Sequence, residues 1–168
     1  MKNVDLNRSE QALCKYLARK RYETAREAGV KNSRMGSQSD ENTDLEGIAA
    51  ELAFAKLYSV YPSGVFDLGA RSSKRGEDSS GDVTVNDLKI DVKATQYTTG
   101  RLIVAPWKDH STIDYYALVV GKFPHYDVKG LMSSSEIMRP ERLKKLPNGN
   151  HEVYQAEQNE LVFPKELT

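Results

Sequence analysis

After Gly64 the spacing of apolar residues changes from three-and-four to two, and no other feature of the 168-residue chain limits its fold as strongly. Before that glycine, Ala12, Leu13, Tyr16, Leu17, Ala25 and Ala28 recur at helical spacing, as do Leu45, Ile48, Ala49, Leu52 and Ala55. The first stripe predicts an amphipathic helix from Asn7 to Ala28, stopped by Gly29. Thr43, with Glu46 three positions on, reads as a capping box, so a second helix is expected from there to about Tyr58, ended by Tyr61-Pro62-Ser63-Gly64. The segment 32–44 between them is almost wholly polar and reads as a flexible loop.

Beyond Gly64 the pattern is that of strands. Val65-Phe66-Asp67-Leu68 is a short candidate, followed by a polar, basic loop over 70–81. Asp82-Val83-Thr84-Val85 and the run from Leu88 to Ala94 flank Asn86-Asp87, which predicts a hairpin. Arg101 to Ala105 and Tyr115 to Phe123 are two more strands, the second apolar enough to be central, and Tyr126 to Leu131 adds another. Ser133 to Leu143 reads as a short capped helix, and the tail from Asn148 has strand-like pieces without a predicted place. Two helices followed by strands give an α/β chain, of α+β type with a mixed sheet. Its length suits one domain over 1–168, with an N-terminal helix and loop (1–43), a core (44–122) and a C-terminal extension (123–168).

Charge excludes some functions and leaves others. With 24 basic residues balanced by 24 acidic ones and 39% apolar residues, neither a disordered polyelectrolyte nor a histone-like arm fits. No run approaches the roughly 18 to 20 apolar residues of a membrane span, and the first residues lack the apolar run of a signal peptide. The expectation is a cytoplasmic, intracellular protein with no membrane partner. One cysteine, Cys14, allows no internal disulfide and too few thiolates for a Cys-based zinc site. Residues 1–35 hold nine basic side chains against four acidic ones, Arg19-Lys20-Arg21 among them, which is either a grip for polyanions or a solvated helix face. His110, His125 and His151 have no ligand-like neighbours and read as surface residues.

The chemistry concentrates on the predicted hairpin. In its second strand Ile90 and Val92 alternate with Asp91 and Lys93, so the two charged side chains leave one face about 6.6 Å apart. Asp82 begins the partner strand. Two Asp carboxylates with the Val92 carbonyl are hard oxygen donors that suit Mg²⁺, with Mn²⁺ as substitute. Glu51 sits inside Gly47-Ile-Ala-Ala-Glu-Leu-Ala-Phe-Ala55, where a carboxylate costs free energy unless a cation or donor compensates it. Each residue also has an ordinary reading: a solvated charged strand, a turn residue, a helix surface residue or partner of a core-edge lysine.

Taken in order, Glu51, Asp82 and Asp91-Val92-Lys93 resemble the pattern of the PD-(D/E)XK nuclease superfamily: a helical Glu, an Asp on a following strand, then Asp/Glu-x-Lys on the next. The resemblance covers about residues 44–122. Glu51 to Lys56, Gly81-Asp82-Val83, Ile90 to Thr95 and Leu102-Ile103-Val104 look like small phage-type endonucleases. Gly81 stands where the family name has Pro, and the helix usual after the Asp/Glu-x-Lys strand is not seen between Arg101 and Tyr115. The resemblance implies a restriction-endonuclease-like core with an added N-terminal helix, and Mg²⁺-dependent hydrolysis of DNA phosphodiester bonds. It implies that Asp82 and Asp91 hold the metal with Glu51 completing its shell, and that Lys93 orients the attacking water or stabilises charge on the phosphorane.

Arg71, Lys74 and Arg75 in the loop before Asp82, and Gln96 at the strand's end, are the expected nucleic-acid contacts. DNA is the expected partner, with RNA and a homodimer left open. Two rivals remain: a catalytically silent nuclease-fold module that binds nucleic acid or protein, and a hydrolase of small phosphate compounds. The first needs no carboxylate set beside DNA, and the second predicts few basic residues near the site.

Overall fold

The computed structural model describes residues 1–27, 29, 39–66, 81–108, 110–146 and 149–167. Its centre is a five-stranded sheet in the order β1-β6-β5-β3-β2. These strands are β1 (Lys2–Asp5), β2 (Val83–Val85), β3 (Leu88–Thr95), β5 (Tyr115–Lys122) and β6 (His125–Ser133). β3 and β5 run parallel and the other neighbours are antiparallel, so the sheet is mixed and the protein is of mixed α/β class. β4 (Leu102–Val104), β7 (Leu143–Lys145) and β8 (Glu152–Ala156) form a second, three-stranded sheet in the order β4-β8-β7.

Two helices cover one face of the large sheet, α1 (Arg8–Glu27) and α2 (Asp40–Tyr58). α1 buries a single stripe, Cys14, Leu17 and Ala18. α2 is buried almost continuously from Ile48 to Ala55, because it lies between α1 and the sheet. Ile48 and Phe54 pack there against Ile90, Val92, Ala117 and Val119. Each of the larger ones, Ala117 excepted, contributes roughly 1.5–3 kcal/mol. On the other face, Tyr116, Leu118 and Val120 meet Leu102 and Val104 of the small sheet and Ile137 of the one-turn helix α3 (Ser134–Ile137). Among the described residues no helix is long and apolar enough to cross a membrane.

Several details depart from the sequence-based expectations. β1 is unanticipated, since only Val4 of its four residues turns inward. α2 begins one turn earlier than Thr43, with Ser39 as its cap: the Ser39 hydroxyl accepts the Asn42 N–H at 3.3 Å. Glu46 is therefore inside the helix, accepting from the Tyr126 hydroxyl at 2.6 Å and the Phe123 N–H at 3.2 Å. Val65-Phe66 is not a strand but part of a 3-10 turn, Ser63–Phe66, wound by bonds from Ser63 to Tyr61 and from Val65 to Pro62. The described residues between β3 and β5 hold β4 and turns rather than a helix. Residue 43 lies within α2, and residue 122 ends β5, whose hairpin partner is β6.

Candidate functional site

The hairpin is built as the alternation predicts, and its turn explains why it is tight. Asn86 and Asp87 both take left-handed backbone, φ 49° and 65°, which matches the twist of the strands they join. The ladder runs from Val85↔Leu88 to Val83↔Ile90 and then changes hands. The Asp82 N–H donates to the Ile90 carbonyl at 2.8 Å, while the Asp82 carboxylate accepts the Val92 N–H at 2.7 Å. Asp82 thus holds both neighbours of Asp91. A strand residue turns its N–H and C=O to the same edge, so the Val92 carbonyl faces the edge where Asp82 sits.

Asp91 and Lys93 leave the opposite face from Ile90 and Val92. In the parallel ladder Asp91 is level with Tyr116 and Lys93 with Leu118, both in the core beneath the small sheet. The Lys93 ammonium pairs with the Asp91 carboxylate, half-buried, and lies 5.9 Å from the Tyr116 ring centroid. The Tyr116 hydroxyl bonds His110 Nδ1, and His110 Nε2 meets the Ala105 carbonyl at 2.7 Å. His110 is therefore wedged between strands and is not a surface residue.

Glu51 belongs to the helix layer, on the other side of the sheet from Asp91. Its carboxylate lies 3.7 Å from the Arg21 guanidinium. Arg21 also donates to the Gly64 carbonyl at 2.9 Å, and the Gly64 N–H donates to the Asp82 carbonyl at 3.1 Å. Only glycine fits at that contact, because a Cβ on Gly64 would come 2.4 Å from the Asp82 oxygen. Glu51 and Asp82 are thus joined through Arg21 and the 3-10 turn. Cys14 lies in the same layer, and burial, then Glu10 and Glu51, push its thiol up to about 12.

The remaining expected residues are dispersed. Gln96 donates to Glu46 at 3.4 Å and lines a cleft of about 400 Å³ with Thr98, Lys122 and Lys129. Arg71, Lys74 and Arg75 lie outside the described residues. Among the described residues no three His, Cys, Asp or Glu side chains gather closely enough to hold a metal ion. Arg21 is the partner that reading the sequence missed, since Arg19-Lys20-Arg21 reads as an exposed basic run. A signal was present: positions 14, 17, 18 and 21 follow one helical stripe, and the first three are buried.

Residues 3–140 match a protein family described as a family of unknown function, DUF5843, and the chain belongs to that family. The match includes Arg21, Glu51, Asp82, Asp91 and Lys93. No curated protein and no solved structure matches the chain.

Proposed function

We propose that the protein is a metal-dependent nuclease, hydrolysing DNA phosphodiester bonds at the open end of the β2–β3 hairpin, with a core of restriction-endonuclease type. The observation that carries this reading is the clamp of Asp82 across Asp91: its backbone N–H holds the Ile90 carbonyl and its carboxylate holds the Val92 N–H, one on each side of Asp91, with Lys93 paired to Asp91.

The donors fit Mg²⁺ in kind. Asp82 and Asp91 supply carboxylate oxygens and Val92 a carbonyl, a sparse set that suits an ion keeping several of its waters. These three residues would hold it, and Mn²⁺ would substitute. Bound there, the ion would supply Lewis-acid activation of the scissile phosphate. Lys93 carries a compact charge that neutralises the phosphoryl oxygens as charge builds on them. Glu51 acts from outside, holding Arg21, which in turn fixes the turn that abuts Asp82.

A second reading is favoured by how the charges are balanced. Glu51 has Arg21 and Asp91 has Lys93, so these two carboxylates are compensated by protein cations, as a silent binding module would require. The two readings separate in one experiment. Purified protein is incubated with Mg²⁺, Mn²⁺, Ca²⁺ or excess EDTA and with branched, single-stranded and duplex DNA and RNA. Cleavage in Mg²⁺ and Mn²⁺ that Ca²⁺ does not support and EDTA abolishes is the expected result; binding without cleavage under all conditions assigns the silent module.

A further inference from the structure

Tyr61 and Phe66 stand on either side of Gly64, the residue bonded to both Asp82 and Arg21. Their rings stack on one another, with centroids 5.5 Å apart and planes 20° apart. Yet they remain 71% and 39% exposed. A single exposed aromatic needs no explanation, but two rings already stacked in water keep apolar faces open at a standing cost. The turn that carries them is anchored to the core and to the site. Val65, between them, is fully buried, and Gly64 is fixed at 3.1 Å from the Asp82 carbonyl oxygen and 2.9 Å from Arg21.

We propose that Tyr61 and Phe66 form a stacking platform for unpaired bases, and that the site's substrate class is single-stranded nucleic acid. This rests on the nuclease reading above. Every base offers a flat face to an aromatic ring, so such a platform is tolerant of sequence. In a duplex those faces are already covered by neighbouring bases, and reaching them requires unstacking. An unpaired strand meets no such cost. The platform would seat a base while the backbone beside it passes Asp82. Tyr16, 59% exposed on α1, serves as a control for general surface aromaticity.

The test measures anisotropy of a labelled oligothymidylate, and of its duplex with oligoadenylate, in Ca²⁺, and cleavage of both in Mg²⁺. The wild-type protein, Tyr61→Ala/Phe66→Ala, Tyr61→Phe and Tyr16→Ala are compared, with thermal melts as a check on folding. The double alanine variant is expected to bind the single strand roughly tenfold more weakly, with duplex affinity little changed. Tyr16→Ala should behave as wild type, and Tyr61→Phe, which keeps the ring, should retain most of the single-strand affinity that the double alanine variant loses. Equal losses on single strand and duplex, or no loss in a protein that cleaves, overturn the platform and leave the nuclease reading intact. Selective loss of single-strand binding in a protein that never cleaves upholds the platform and overturns the nuclease. A wild-type protein that neither binds nor cleaves either substrate overturns both.

Discussion

The Arg21 guanidinium and the Glu51 carboxylate lie 3.7 Å apart, with only 11% and 7% of their side chains exposed. Little solvent screens such a pair, and removing one partner takes its charge compensation from the other. Arg21→Met should therefore cost about 3 kcal/mol, whereas Arg21→Met/Glu51→Leu should recover most of that loss. Urea unfolding of the single and double variants gives the coupling directly. Additive losses would show that the two charges do not depend on each other.

Asp82 has a structural duty and a proposed catalytic one, and two substitutions divide them. Asp82→Asn keeps an acceptor for the Val92 N–H and should fold within about 0.5 kcal/mol of wild type, while losing metal affinity and cleavage. Asp82→Ala leaves that amide without its partner and should cost a further 1 kcal/mol or so. Calorimetric titration with Mn²⁺, set beside thermal melts, distinguishes the two effects. An Asp82→Asn protein that cleaves at the wild-type rate would remove Asp82 from the metal site.

Lys93 and Asp91 should fail differently. Lys93→Ala is expected to lower the cleavage rate by roughly 10²–10³-fold through lost charge stabilisation, with metal and DNA affinity largely kept. Asp91→Ala should lose metal and cleavage together, and with one acidic group fewer it should tighten DNA binding in metal-free buffer. Single-turnover rates and binding isotherms for both variants decide the matter; wild-type cutting by both would place the active site elsewhere.

The Cys14 thiol gives a probe of folding at the same layer. Its folded pKa is raised from 9.0 to about 12, chiefly by burial, so the neutral thiol is the form the fold favours. The corresponding stability is complete below about pH 9 and is lost as pH rises toward 12. In mildly alkaline buffer a disulfide reagent should label the protein only as fast as it opens, and instantly in denaturant. Immediate labelling of the native chain would show that α1 does not seal this layer.

Replacing Arg71, Lys74 and Arg75 together by Ala should weaken DNA binding evenly across sequences. The slope of log affinity against log salt should flatten by roughly 0.7–0.9 for each phosphate that is no longer neutralised. The matching control on α1 is Arg19→Ala/Lys20→Ala, because Arg21 is held by Glu51 and the Gly64 carbonyl. Both control side chains already pair with Glu23, at 3.0 and 2.9 Å, so a smaller effect is expected. A larger drop in affinity from the helix variant would make α1 the main binding surface.

Legibility in the sequence follows how local each interaction is. The β2–β3 hairpin, both helices and central β5 declare themselves because period, turn residues and apolar runs lie within a few positions of one another. β1 is invisible there, since its pairing depends on β6, and the small sheet is invisible as a sheet because β4 finds its partner in β8. The same rule governs the site. Asp82, Asp91 and Lys93 share one hairpin and can be read together, whereas the Arg21 that neutralises Glu51 arrives from another helix, and His110 from a loop. The 3-10 turn misleads for a different reason: Val65 and Phe66 carry strand-forming side chains, but Pro62 and the contact of Gly64 with Asp82 set the backbone.

The long pairings at both ends of the chain also order events in time. Lys2 is level with Val128 and Leu102 with Ala156, so β1 and β4 are synthesised long before the strands that complete them. The β2–β3 hairpin and the β5–β6 hairpin can close at once, within short loops. A nascent chain therefore carries the proposed catalytic hairpin early, with one sheet edge and one face still uncovered. High separation between partners slows the final closure. It also makes β6 and β8, rather than the residues of the site, the elements on which escape from aggregation during synthesis depends.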